Sequence, residues 1–322
     1  MAFGTAAGSA ALKNISREHK QLFSTFSALF ILCFIFSVLS PYFLSVNNLL
    51  TVATQTAIIA IIAIGQTYVM ITTGIDLSIG SNIALSGMLA GITMTNGVPV
   101  WIALLIGLAS GCIVGGLNGV MIAFGKIPPF IATLCTMMAV RGISLTLTQG
   151  IPVSGLPKSF TVIGTGSLAG IPIPVILMIL LTVIFGFVLS KTRLGRHVYA
   201  VGSNVDAARL SGVNTKAVLI KVYVISGFVA AFAGLIMAAR IISAQPAAGD
   251  GYELDAVASS VIGGTSTLGG EGMIAGTFIG AFIIGILRNG LNLIGVSPFI
   301  QKIVIGVVIG GSVFFDRIKR KD

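Results

Sequence analysis

Lys191–Leu219 reads KTRLGRHVYAVGSNVDAARLSGVNTKAVL, and here an otherwise apolar chain turns abruptly polar. The stretch carries Lys191, Arg193, Arg196, Arg209 and Lys216, and it contains Asp206-Ala207-Ala208 followed, after three residues, by Gly212. Long hydrophobic runs lie on both sides. A polar, basic segment of this length between membrane spans faces the cytoplasm and can form a short helix. An acid, two alanines and a glycine at this spacing suit a small helix that docks on a soluble partner. The first reading is a membrane protein driven from outside itself.

Composition supports the membrane half of that reading. Hydrophobic residues make up 55% of the 322 and charged residues 9%, with a mean hydropathy of +1.05. Soluble domains carry roughly a quarter charged residues. The 41 glycines suit helix packing in lipid, where small residues let backbones approach. Cys33, Cys112 and Cys135 all fall inside apolar runs and read as small packing residues. With one Trp, two His and no Cys/His cluster, no metal site or cofactor is expected.

About 20 apolar residues cross a bilayer core, and the chain divides on that length into ten spans. They run approximately over 22–39, 49–73, 77–95, 98–124, 128–147, 172–189, 218–239, 254–268, 272–287 and 298–315. The fold class expected is therefore an all-α polytopic membrane protein. The third, eighth and ninth spans are short or rich in Gly and Ser, and read as broken or re-entrant helices. With the N-terminus inside, the cytoplasmic segments hold Lys13, Arg17 and Lys20, Lys126, the loop residues Lys191, Arg193, Arg196, Arg209, Lys216 and Lys221, and Arg317, Lys319, Arg320 and Lys321. That is fourteen of the nineteen Lys and Arg, the positive-inside bias. The net charge of +10 thus reports topology and contact with anionic membrane lipid rather than nucleic-acid binding, for which there is no soluble basic domain. The domain reading is a cytoplasmic N-terminal segment (1–21), a membrane domain (22–315) with a cytoplasmic loop (190–217), and a cytoplasmic tail (316–322). The first span follows a basic segment but ends in Ser-Pro-Tyr-Phe without a small-x-small cleavage site, so it reads as a retained helix.

Two parts of the chain echo each other. Gly74–Ser81 (GIDLSIGS) opens the third span and Gly251–Ser259 (GYELDAVAS) the eighth; Leu117-Asn118-Gly119 ends the fourth and Arg288-Asn289-Gly290 the ninth; Pro-Phe-Ile opens the fifth at Pro129 and the tenth at Pro298. Spans 2–5 and 7–10 match five spans apart, an odd number, which predicts an inverted repeat of the kind found in transporters. Glycines spaced by four, at 111, 115 and 119 and at 272, 276 and 280, predict close helix contacts within the chain.

Several residues are candidates for function. Asp76 is either a gate or ion-site residue or a cap for the third helix, with Ser78 beside it. Asp250, Glu253 and Asp255 form an acidic group before the eighth span on the outer side, where they either cap that helix or meet an external partner. Arg141 falls inside the fifth span, so it must face protein or water: it lines a passage or pairs with a carbonyl or acid. Gln66, Asn82, Asn118, Gln149 and Gln245 either line a passage for a hydroxylated solute or bond between helices. No Gly-x-x-x-x-Gly-Lys-Ser/Thr occurs, the one Gly-Lys pair being Gly125-Lys126 before Ile127, so the chain has no phosphate-cradling loop. No nucleophile-plus-base pair suggests an enzyme. His19 and His197 lie in basic segments and read as solvated.

GIDLSIGS at 74–81, PPFIATL at 128–134, TRLGRHVYAVGSNVDAARLSGVN at 192–214 and SAQPAAGDGYELDAVASSVIGGTSTLGGEG at 243–272 resemble the permease subunits of bacterial ABC sugar importers, ribose/simple-sugar branch. The resemblance covers the chain from Asn48 to Phe315. It implies that Asp206, Ala207, Ala208, Arg209 and Gly212 form the family's coupling segment, with Asp where many such permeases have Glu. It also implies partners: a second permease chain, cytoplasmic ABC ATPase subunits that hydrolyse ATP on the permease's behalf, and an extracytoplasmic sugar-binding protein. Two other readings stay open: a permease of the same superfamily for nucleosides or branched-chain amino acids, and an ion-coupled secondary transporter, against which the acids clustering at membrane ends argue.

Overall fold

The structure, a computed structural model, describes residues 22–319. The expectations for residues 1–21 and 320–322, with Lys13, Arg17, Lys20, His19, Arg320 and Lys321, lie outside the described residues. A helix occupies each of the ten apolar stretches. They are α1 Leu22–Leu39, α2 Val46–Ile71, α3 Ile79–Thr95, α4 Val100–Ala123, α5 Pro129–Thr146, α7 Ile173–Lys191, α10 Thr215–Arg240, α11 Tyr252–Ile262, α12 Ile274–Leu293 and α13 Pro298–Lys319. Between them lie three short helices, α6 Lys158–Thr165, α8 Arg193–Ser203 and α9 Val205–Leu210. A two-residue hairpin pairs β1 Ser167–Leu168 with β2 Ile171–Pro172. Its turn residues Ala169 and Gly170 both have positive φ, which matches the right-handed twist of a tight hairpin.

Among the described residues, seven helices are long and apolar enough to cross a membrane: α1, α2, α4, α5, α7, α10 and α12. Among the short spans expected, α3 has 17 residues and α11 has 11. The ninth differs from expectation. α12 is a full helix of 20 residues that continues past 287 to Leu293. The polar pair Arg288-Asn289 ends the apolar pattern but not the helix, because both side chains find partners. Arg288 pairs with Asp255, and Asn289 exchanges two amide hydrogen bonds with Asn48 at 2.9 and 3.1 Å. α11 stops earlier than expected, at Gly263-Gly264, where Gly264 adopts φ +97°.

α10 lies at the centre, packed on α2, α3 and α4; α2 packs in turn on α11 and α12. The glycine ridges lie inside these contacts. A Cβ on Gly111 or Gly115 would strike the α10 backbone at Gly227 or Tyr223, and one on Gly276 or Gly280 would strike the carbonyls of Gly263 or Ser259 on α11. Small residues thus bring α4 to α10 and α12 to α11 at backbone contact. Cys33 and Cys112 are half-buried and Cys135 is exposed, all three unpaired thiols within helices.

Candidate functional site

The polar loop folds into two helices. Thr192, in extended conformation, caps α8 through its hydroxyl, which accepts from the Gly195 amide at 3.4 Å. The Asn204 side chain caps α9 by accepting from the Ala207 amide at 2.9 Å. α9 closes on Gly212 at φ +81°: the Gly212 amide donates to the Arg209 carbonyl and the Val213 amide to the Ala208 carbonyl, both at 3.0 Å. This paired closure with a left-handed residue satisfies the last carbonyls of a helix, and glycine adopts it without strain. Asn214 then caps α10, accepting from the Ala217 amide at 3.0 Å. So α9 is a small turn held at both ends and joined to the central helix by a tight link.

The faces of α9 are unlike. Ala208 is buried against the body, whereas Asp206, Ala207 and Arg209 are exposed. Leu210 is 90% exposed and Val205 46%, so the outer face combines an acid, a base and two uncovered aliphatic side chains. The inner side of the loop grips the end of α2. Gly202 packs on the Ile71 carbonyl, the Gly270 amide donates to that carbonyl at 2.9 Å, and the Tyr199 hydroxyl donates to the Gly272 carbonyl at 2.6 Å.

Beyond Ile71 the chain turns back. Thr73 takes φ +65° and the Gly74 amide donates to the Val69 carbonyl at 3.0 Å. Asp76 does not sit at the end of α2 as its sequence position suggests. It returns to the level of Gln66, whose side-chain oxygen accepts from the Asp76 amide at 3.3 Å. The Asp76 carboxylate accepts from the Ser78 amide (2.9 Å), the Ser78 hydroxyl (2.6 Å) and the Ser226 hydroxyl on α10 (2.7 Å). Asn118 donates to Ser78 at 2.9 Å, and the Thr136 hydroxyl donates to the Asn118 oxygen. Asn82 donates to the carbonyls of Gly227 at 3.2 Å and Gly111 at 3.4 Å. Gln66, Asp76, Ser78, Asn82 and Asn118 are at most 1% exposed. This network joins α2, α3, α4, α5 and α10.

On the opposite side, Arg141 donates to the carbonyls of Pro246 at 3.0 Å and Ala248 at 2.8 Å, which is the carbonyl pairing among its two expected uses. Asp255 is 1% exposed and ion-paired with Arg288 at 2.7 Å. It is therefore not available on the outer surface. Glu253 is half-buried, its carboxylate filling the space beside Gly80 at the start of α3. Asp250 alone of the three is exposed. No side-chain cap bond forms at the N-terminus of α11, where Gly251 takes the cap position.

A family model described as the permease component of branched-chain amino acid transport systems matches residues 48–312. The ribose import permease protein of Bacillus subtilis is 46% identical over 301 residues, covering 93% of this chain and 94% of the relative. The chain belongs to this permease family. The ribose import permease protein of Haemophilus influenzae is 44% identical over 296 residues, 91% of this chain and 92% of that one. The D-allose transport permease of Escherichia coli is 39% identical over 301 residues, 93% and 92% of the two chains. No solved structure matches. The family match begins two residues into α2 and ends within α13, so it takes in the α8–α9 loop and the buried network of the permease and leaves α1 outside.

Three residues of these sites escape a reading of the sequence. Leu210 stands out only as an aliphatic residue in a polar loop. Ser226 and Thr136 are single hydroxyls in apolar spans, of the kind that usually bond back to their own helix. Ser226 followed by Gly227 was the available signal, a hydroxyl beside a residue that lets another helix come close.

Proposed function

We propose that this permease is the membrane-spanning subunit of an ATP-driven ABC importer that carries a ribose-like monosaccharide across a bacterial inner membrane. The sugar is handed over by an extracytoplasmic binding protein, and ATP is hydrolysed on separate cytoplasmic subunits docked beneath the permease. The observation that carries this reading is the 44–46% identity to ribose import permeases over more than nine-tenths of the chain. The D-allose and L-arabinose permeases, at 39% and 37%, also bear the names of sugar transport systems, although the wider family bears the name of amino acid transport.

In this reading α9 is the dock. Asp206, Arg209 and Leu210 meet a groove on the ATPase, Ala207 permits close approach, and Ala208 and Gly212 hold the turn in place. Ten helices cross or enter the membrane, with both termini and the α8–α9 loop cytoplasmic and with the domain limits 1–21, 22–315 and 316–322. An inverted repeat of spans 2–5 and 7–10 is supported by helix geometry. α2 and α10 both have 26 residues, and the starts of α2 and α5 each precede those of α10 and α13 by 169 positions. The packing is reciprocal too, since α2 lies on α11 and α12 while α10 lies on α3 and α4. Gln66, Asp76, Ser78, Asn82 and Asn118 form the polar interior around which a gate operates, and Arg141 lines the passage on the opposite side. Asp250 faces the binding protein, and a second permease copy or a related chain completes the translocation unit.

Uptake of labelled ribose into proteoliposomes that contain the permease, its ATPase and its binding protein tests the reading. The expected result is ATP-dependent ribose uptake that unlabelled leucine does not compete away. Uptake of leucine in place of ribose, or ribose uptake driven by an ion gradient without ATP, contradicts it.

A further inference from the structure

We infer that the hydrogen bond from the Ser226 hydroxyl to the Asp76 carboxylate is the joint through which movement of α9 reaches the buried helix α3, making Asp76 and Ser226 positioning residues for transport. The inference rests on the reading of α9 as the ATPase dock. Four residues, Ser211–Asn214, separate α9 from α10. The closure on Gly212 and the Asn214 cap fix that link, while Ala208 belongs to the central apolar core. α9 therefore does not swing freely from α10. α10 itself is an unbroken helix, and Ser226 lies 11 residues from its start, about 16 Å along the axis. A push at α9 arrives at Ser226 with the helix as a rod.

Ser226 meets the fully buried acid Asp76, just before α3. Three successive contacts then tie that helix to α10. Ser226 donates to Asp76 at 2.7 Å, Asn82 donates to the Gly227 carbonyl at 3.2 Å, and Ser86 donates to the Ala231 carbonyl at 3.3 Å. The first is the shortest of the three. Asp76 also closes the turn out of α2, whose last carbonyl, Ile71, is held by Gly270 and packed on by Gly202 of α8. The docking loop thus touches both ends of the Ile71–Asp76 turn, through α8 below and α10 above. The surroundings hold unpaired groups that a change of partner could satisfy. The Gln66 amide nitrogen, the Asn82 side-chain oxygen and the Tyr223 hydroxyl are fully or almost fully buried without a hydrogen-bond partner. Such groups are costly unless paired, and a shift of α3 against α10 offers them new partners.

The test uses the full complex of permease, ATPase and binding protein in proteoliposomes, and the reading is ATP hydrolysed per ribose imported. Ser226→Ala removes the joint and leaves Asp76 its two bonds from Ser78. The expected result is a complex that retains its ATPase and its basal hydrolysis while ATP consumed per ribose rises roughly tenfold, the scale of one buried hydrogen bond lost with its partner left in place. Asp76→Asn combined with Ser226→Ala should raise the ratio no further than the stronger single change. A structural role alone lowers uptake and sugar-stimulated hydrolysis together at a constant ratio, and that result overturns the inference, as does an unchanged Ser226→Ala complex or one that fails to assemble. Leu210→Glu separates the two claims. Should it keep the ATPase bound, the dock itself fails. Should it release the ATPase while Ser226→Ala leaves the ratio unaltered, the joint alone fails.

Discussion

Asp255 and Arg288 form an unequal pair: the carboxylate is 1% exposed, the guanidinium 36%. Breaking a buried ion pair leaves a lone charge, at a cost of about 3–5 kcal/mol when both partners are buried. Arg288→Met strands the enclosed acid and should lower the melting temperature of the purified permease markedly. Asp255→Asn should cost less, since the arginine still reaches water, and the double change should recover most of the loss. Equal melting shifts for the two single variants would contradict this geometry. Gly212 is a second residue with a definite cost. No atom lies within 4 Å of where its Cβ would stand, so the penalty of Gly212→Ala is the left-handed backbone alone, about 1–2 kcal/mol. The melting temperature should fall by no more than a few degrees while ATPase co-purification weakens several-fold, and Gly212→Asn should lie between, because Asn tolerates this conformation. On the outer side, Asp250→Lys should slow docking of the binding protein at low salt and have little effect at high salt, as rim charges do. A salt profile equal to that of the unaltered chain removes Asp250 from the contact.

Helix contacts are set by which glycine faces which backbone. Gly115 and Gly116 are chain neighbours on α4, yet a Cβ on Gly115 would strike the Tyr223 carbonyl and one on Gly116 would touch Val224 at an ordinary 3.7 Å. Gly115→Ala should therefore destabilise the permease by about 1–3 kcal/mol, the range for overpacking. Gly116→Ala should be neutral or stabilise it by up to about 1 kcal/mol through helix propensity. Melting curves of the two variants check this, and similar shifts would mean that α4 and α10 are farther apart. The spacing of these glycines was readable in the sequence, and so were the ten apolar stretches, because periodic apolar runs and small-residue ridges are local signals. Local signals failed where distant residues intervene. Arg288 reads as the end of a span until Asp255, 33 positions earlier, neutralises it. Asp76 reads as the end of α2 until Thr73 and Gly74 turn the chain back to Gln66. The polar loop was legible as a break between apolar spans, but the 90% exposure of Leu210 was not, since an isolated leucine carries no pattern.

Across the whole molecule the distribution of the basic residues is the argument for the proposed orientation, with the α8–α9 loop cytoplasmic. In a cysteine-free background, cysteine at position 209 should be labelled only by reagents that reach the cytoplasm and cysteine at 250 only from outside; the reverse would invert the topology. The central claim is that a partner drives this permease through α9. It is tested most directly by ATP-dependent ribose uptake into proteoliposomes that hold the ATPase, the binding protein and either the unaltered permease or its Leu210→Glu variant. The account predicts uptake that needs enclosed ATP and all three proteins, and that collapses in the variant although the permease inserts normally. Undiminished uptake with Leu210→Glu, or uptake by the permease without its ATPase, would contradict it.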